Sequence, residues 1–122
     1  MTHDEIIAYS LKKTGAYIDL PWGITPVCVK VCGRIFVQLW TDKDILTVKC
    51  EKESGIFYRN AYPDIILRGY FCPPVQQPYW NSLNLNGNIS DDLITAIIDL
   101  SYNTVINKLK KYEKASLSDN KD

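Results

Sequence analysis

Between Val27 and Cys50 the chain reads VCVKV, CG, RIFVQLW, TDKD, ILTVKC. Three runs rich in β-branched and aromatic residues are separated by short turn-like links, which is the pattern of an antiparallel meander. The constraint on folding is that neither face of this sheet is polar. Register decides which side chains share a face. If Cys32-Gly33 is a two-residue turn, Val29 lies opposite Phe36 and Val31 opposite Arg34. One face then carries Val27, Val29, Val31, Phe36 and Trp40, and the other Cys28, Lys30, Ile35, Val37 and Leu39. If Arg34 belongs to the loop, the valines join Ile35, Val37 and Leu39, leaving Phe36, Trp40, Lys30 and Arg34 opposite. Glycine at the second turn position favours the two-residue hairpin. In either register several large apolar groups point away from any single layer of helices. Leaving three of them wet would forgo roughly 5 kcal/mol, at about 1.5–3 kcal/mol each. A contiguous apolar patch marks a contact surface, so the chain itself, a second copy or a ligand should cover it.

The flanking segments supply the helices. Thr2 and Glu5 have capping-box spacing, and Ile6, Ile7, Ser10 and Leu11 recur at helical spacing, with Gly15 beyond. YIDLPWG reads as an irregular connection in which Trp22 plugs the core beneath the turn. A short helix is expected to end near Ala61, because Pro63 disfavours helix at Tyr62. A strand follows at Trp80–Leu85, then a turn at Asn86-Gly87. Ser90 caps a last long helix whose stripe is Ile94, Ile98, Val105 and Leu109, with Ile97 beside it. Lys108, Lys110, Lys111 and Lys114 fall at the negative end of that helix's dipole. The order is α-β-β-β-α-β(β)-α. It predicts an α+β domain of two layers, an antiparallel sheet with helices on one face, over residues 1–114. The tail, ASLSDNKD at 115–122, is small and polar and is expected to be disordered.

Gly69–Leu83, GYFCPPVQQPYWNSL, is the candidate cover for the second face. Its prolines preset an extended backbone, and Phe71, Val75, Tyr79 and Trp80 offer apolar contact. Burial of Phe71 and Val75 would accompany such a cover.

Zero net charge, with 14 basic and 14 acidic residues, argues against a strongly electrostatic nucleic-acid binder. No apolar run reaches the length of a membrane span, and MTHDEII is not a signal peptide. The four cysteines form no Cys-x-x-Cys pair and His3 is remote from them, so no metal site is expected and the thiols should be reduced, in a cytoplasmic setting. No nucleophile elbow, phosphate loop or carboxylate constellation is present, so neither catalysis nor a cofactor is expected. Asp19 is read as capping nearby backbone in a turn.

DLPWG, VKVCGRIFVQLW, LTVKC, GY and YWNSLNLNGNISDDLITAIIDLSYNTVINKLKK, in that order and spacing, resemble the MmcQ/YjbR family from near Asp4 to Lys111. The resemblance implies a double-wing fold, similar to secretion-chaperone-like and frataxin-like (CyaY-like) two-layer domains, and a DNA-binding label. It brings no catalytic residues with it. Relatives commonly follow GY with a shorter segment rich in Asn, Lys, Arg and His, whereas this chain reads FCPPVQQPYW. Glutamine adds no charge for counterion release, so any phosphate contact made there is lost.

Two functions therefore stand side by side. One is a DNA-binding module using Lys30, Arg34, Lys49, Lys108 and Lys111 for phosphates, with Tyr79 and Trp80 for base stacking. The other is a domain that docks a protein partner, or pairs as a weak homodimer, through the second sheet face and the proline-rich loop 71–79.

Overall fold

The computed structural model describes residues 1–119. Helix α1 (His3–Leu11) starts at the capping box: Glu5 N–H donates to Thr2 Oγ1, and Thr2 N–H donates to the Glu5 carboxylate. The remaining elements are β1 (Tyr17–Asp19), β2 (Val27–Val31), β3 (Arg34–Trp40), β4 (Ile45–Lys49), α2 (Lys52–Ala61), β5 (Ile66–Arg68), a 3-10 turn (Gln77–Tyr79), β6 (Trp80–Asn84), α3 (Asp91–Asn107) and α4 (Lys111–Asp119). The strands form one antiparallel sheet in the order β1-β2-β3-β4-β6-β5.

The hairpin between β2 and β3 has the two-residue turn, with Val31 opposite Arg34. The facing expected beyond it is corrected by a bulge. Lys30 pairs with Ile35, but Val29 pairs with Val37, so Phe36 is an extra residue on β3. The bulge turns Phe36 and Val37 toward the same side. Val29, Val31, Phe36, Val37, Leu39, Leu46, Val48, Ile66 and Leu83 then share one core with Ile6 of α1 and Ile94, Ile98 and Val105 of α3. Cys28, Lys30, Ile35, Gln38 and Trp40 fall on the other face.

The bulge also breaks the ladder to β4. Pairing begins at Val37–Val48, and the next rung, Phe36 to Lys49, is missing. Ser101 of α3 fills it. Its Oγ donates to the Phe36 carbonyl at 2.6 Å and accepts from the Lys49 N–H at 2.8 Å. Tyr102 meets the Phe36 ring edge-on, centroids 5.2 Å apart. One helix thus holds the bulge through a hydroxyl and an aromatic contact.

Three further expectations are corrected. Tyr17–Asp19 is an edge strand rather than irregular, because its three residues pair with Cys28–Lys30 of β2. The last helix is two helices, broken at Lys108–Lys110. Glu113 starts the second by accepting from Lys110 N–H at 3.1 Å, while Arg34 Nη1 donates to the other oxygen at 2.7 Å. Lys111 and Lys114 consequently lie in the first turns of α4, not at the negative end of a single dipole. Residues 115–119 of the supposed disordered tail belong to α4, whose Leu117 is buried against Gly15 and Val31. The rest of that tail, 120–122, lies outside the described residues.

Candidate functional site

On the second sheet face the register aligns Gln38, Thr47 and Ser82 across three strands, flanked by Trp40 and Ile45 on one side and Lys49 and Trp80 on the other. The hydroxyls of Thr47 and Ser82 share a buried hydrogen bond of 2.7 Å, and Ser82 Oγ accepts from Tyr70 N–H at 2.6 Å. This polar tie straps the 69–79 segment to the sheet. Gly69 has no room for a side chain, since a Cβ there would stand 2.6 Å from Cβ of Trp80. The prolines close a turn, with Gln76 and Gln77 N–H donating to the Pro73 carbonyl.

The segment covers part of the face, but not as the sequence suggested. Phe71 is 70% exposed and Val75 77%. The segment is held by backbone and by Tyr70, and it walls one side of a groove of about 440 Å³. Ile35, Gln38, Trp40 and Trp80 contribute from the strands, Tyr70, Phe71, Cys72, Pro73 and Gln76 from the loop, and Trp22 from the opposite rim. Trp22 is 64% exposed, so it is a rim residue and not a core plug. All three tryptophans of the chain line this one groove. Trp40 meets Tyr70 and Phe71 edge-on at 5.2 and 5.1 Å, and Tyr70 and Phe71 stack at 4.1 Å. Phe71 holds φ at +61°, a left-handed conformation costly for an aromatic residue. Trp40 Nε1 is buried without a hydrogen-bond partner among the described residues.

At Ile35 and Trp80 the groove opens into a basic cleft of about 390 Å³, also lined by Lys30, Arg34, Lys49, Val105 and Lys108. Two of its four cations are held by close carboxylates, and a third has a long, exposed pairing. Lys30 pairs with Asp19 at 2.6 Å, Arg34 with Glu113 at 2.7 Å and Lys108 with Glu51 at 3.4 Å. Asp19 is therefore chiefly an ion-pair partner; the Lys30 ammonium beside it holds its carboxyl below the usual range. Lys49 has no carboxylate partner among the described residues. Its Nζ lies 4.8 Å from the centroid of Trp80 and 5.7 Å from that of Tyr79. Burial, and after it the nearby Lys108, pulls its pKa below the ordinary lysine value.

The structure thus gathers Lys30, Arg34, Lys49, Tyr79, Trp80 and Lys108 around one cleft, while Lys111 sits exposed on α4 outside its lining. Trp22, Gln38 and Tyr70 join the site without having been expected there, whereas Gln76 lies in the proline-rich loop 71–79 already offered as a contact surface. No local signal marks the first three, because the bulge at Phe36 sets the face that Gln38 and Trp40 occupy. All four cysteines are free, and burial raises the Cys50 thiol to about 11. No cluster of three metal-ligating side chains occurs among the described residues. Among the described residues no His, Asp or Glu lines the groove or the cleft.

A family model described as YjbR matches residues 11–104. "Uncharacterized protein YjbR" of Escherichia coli (strain K12) is 22% identical over 119 residues, covering 96% of this chain and 98% of that protein. A crystal structure of a Deinococcus radiodurans protein with domain DUF419 aligns with TM-score 0.85 and 22% identity, over 96% of this chain and 88% of that one. A Pseudomonas syringae protein aligns with TM-score 0.68 and 19% identity, over 85% and 98%. These structural likenesses speak to fold.

Proposed function

The chain belongs to the YjbR family, and on that premise we propose that it is a cytoplasmic, non-enzymatic module that binds single-stranded nucleic acid. The observation that carries the reading is the junction at Trp80, where an aromatic groove meets Lys49. Stacking a base on an aromatic ring is worth about 1–3 kcal/mol and tolerates any base. A phosphate one step along the strand would find Lys49, the cation here without an ion-pair partner among the described residues. Binding would also offset the burial that disfavours this ammonium. Duplex DNA fits less well. Its bases are stacked inside, and two of the cleft's four cations, Lys30 and Arg34, already hold close carboxylates, leaving few to release counterions. The free thiols agree with a reducing compartment, and no helix among the described residues is long and apolar enough to cross a membrane.

A second reading, protein docking, draws on the outward-facing Phe71 and Val75 and on Ile24, all largely exposed beside the groove. Tryptophan fluorescence separates the two. Titration with oligo(dT) at low salt should quench emission, and the affinity should fall as salt rises, by about 0.7 log units per log unit of salt for each phosphate held. Trp80→Ala should weaken binding by roughly 5- to 150-fold, equivalent to about 1–3 kcal/mol of stacking. Absence of binding at low salt would reject the nucleic-acid reading and leave docking.

A further inference from the structure

Resting on that single-strand reading, we infer that the aromatic groove is the middle of a longer track, with a second phosphate contact at Lys43 and Arg68. At Tyr70 the groove adjoins a third concavity, of about 360 Å³, lined among others by Lys43, Arg68, Ser82, Asn84 and Asn86. The three hollows are chained by shared walls. Ile35 and Trp80 join the basic cleft to the groove, and Tyr70 joins the groove to the third. Cations therefore stand at both ends and aromatic rings between them.

The charge distribution singles out this face. The chain has as many acidic as basic residues, 14 of each, yet among the described residues no Asp or Glu lines any of the three hollows, the carboxylates of Asp19, Glu51 and Glu113 reaching the cleft's cations from outside its lining. Arg68 has no ion-pair partner among the described residues. Lys43 has one ion-pair partner among the described residues, its neighbour Asp42, at 3.4 Å with both side chains well exposed, a pairing too weak to occupy the ammonium. Neutral donors and acceptors on the exposed Asn84 and Asn86 suit sugar and base edges without repelling phosphate.

Length sets the size of the ligand. Along β3, from Ile35 to Trp40, the backbone advances about 17 Å at about 3.3 Å per residue. Stacked nucleotides rise about 3.4 Å each along one strand, so the groove alone takes about five, fewer of a stretched strand, and the hollow at each end extends the track beyond that. A mononucleotide reaches only one end.

The test is a titration with thymidine monophosphate and with oligo(dT) of two, four, eight and sixteen nucleotides. Affinity should rise at least tenfold from the monophosphate to the eight-nucleotide strand and gain little more at sixteen. Lys43→Gln and Arg68→Gln should each reduce the salt slope for the eight-nucleotide strand by about 0.7, and Arg68→Lys should restore it. If the monophosphate binds as tightly as the eight-nucleotide strand, or both glutamine variants keep the parent slope while Lys49→Gln lowers it, the track is refuted and the stacking site survives. If no strand of any length binds, both inferences fall.

Discussion

Replacing Ser101 with alanine should be among the costliest single-oxygen deletions in this protein. The hydroxyl is buried and stands in for the missing rung between Phe36 and Lys49, at 2.6 and 2.8 Å from its two backbone partners. Alanine keeps the helix and most of the volume, so the loss is two orphaned backbone groups, each worth about 1–3 kcal/mol when left unpaired. Partial closure of β3 on β4, or a trapped water, would recover some of this, and a net loss of about 2–4 kcal/mol is expected. With a urea m-value of about 1–3 kcal/mol per M, the midpoint should drop by roughly 1–2 M with the slope unchanged. Thr104→Ala is the matched control on the same helix. Its hydroxyl is also buried but only bonds back to the Leu100 carbonyl one turn away, 2.8 Å, so it should lose about 1 kcal/mol or less. A Ser101→Ala loss below about 0.5 kcal/mol, or equal losses for both variants, would refute the bridging role.

Leu117→Ala should destabilise the fold by about 2–3 kcal/mol, within the range for buried leucines, and should speed amide exchange across α4 before the sheet is affected; exchange indistinguishable from the parent would show that α4 does not depend on this contact. Cys50 should resist alkylation at pH 8 in the folded chain, its thiol being buried and raised to about 11, and should react at the normal rate once the chain is unfolded, read by mass spectrometry of the labelled peptides. Oligonucleotide affinity should depend on pH through Lys49. Burial depresses its pKa in the free protein, and a bound phosphate would raise it, so affinity is full below the free-state pKa and is lost as pH climbs through the bound-state one; a profile unchanged in Lys49→Gln would assign the titration elsewhere.

The sequence was most readable where the signal is local. The Thr2–Glu5 box, the Ser90 cap and the Cys32-Gly33 hairpin each depend on residues a few positions apart, and each stands where the local rule puts it. What escaped is what distant residues impose. The bulge at Phe36 is stabilised by Ser101 and Tyr102, some 65 positions away, and it exchanges the facing that strict alternation assigns to Val37, Leu39 and Trp40. Helix α4 begins where Glu113 meets Arg34 across 79 positions, and β1 and β5, at three residues each, are strands only because a neighbour pairs them. The excess of oily side chains over one helical layer was legible, and so was the segment that addresses it. That the segment would attach through the Tyr70 N–H and Ser82, leaving Phe71 and Val75 outward, depends on a hydroxyl pair formed between strands 35 positions apart.

Trp22, Trp40 and Trp80 all line the groove, so their three indole N–H signals in a ¹H–¹⁵N correlation spectrum, titrated with an eight-nucleotide oligo(dT) at low salt, probe the binding face directly. Base stacking in the groove predicts that all three shift saturably, together with the backbone amides of Lys49 and Tyr70, while amides of the outer surface of α3 stay in place. Indole signals that hold still while helix-face amides move would put the ligand on the opposite side of the sheet and contradict the account.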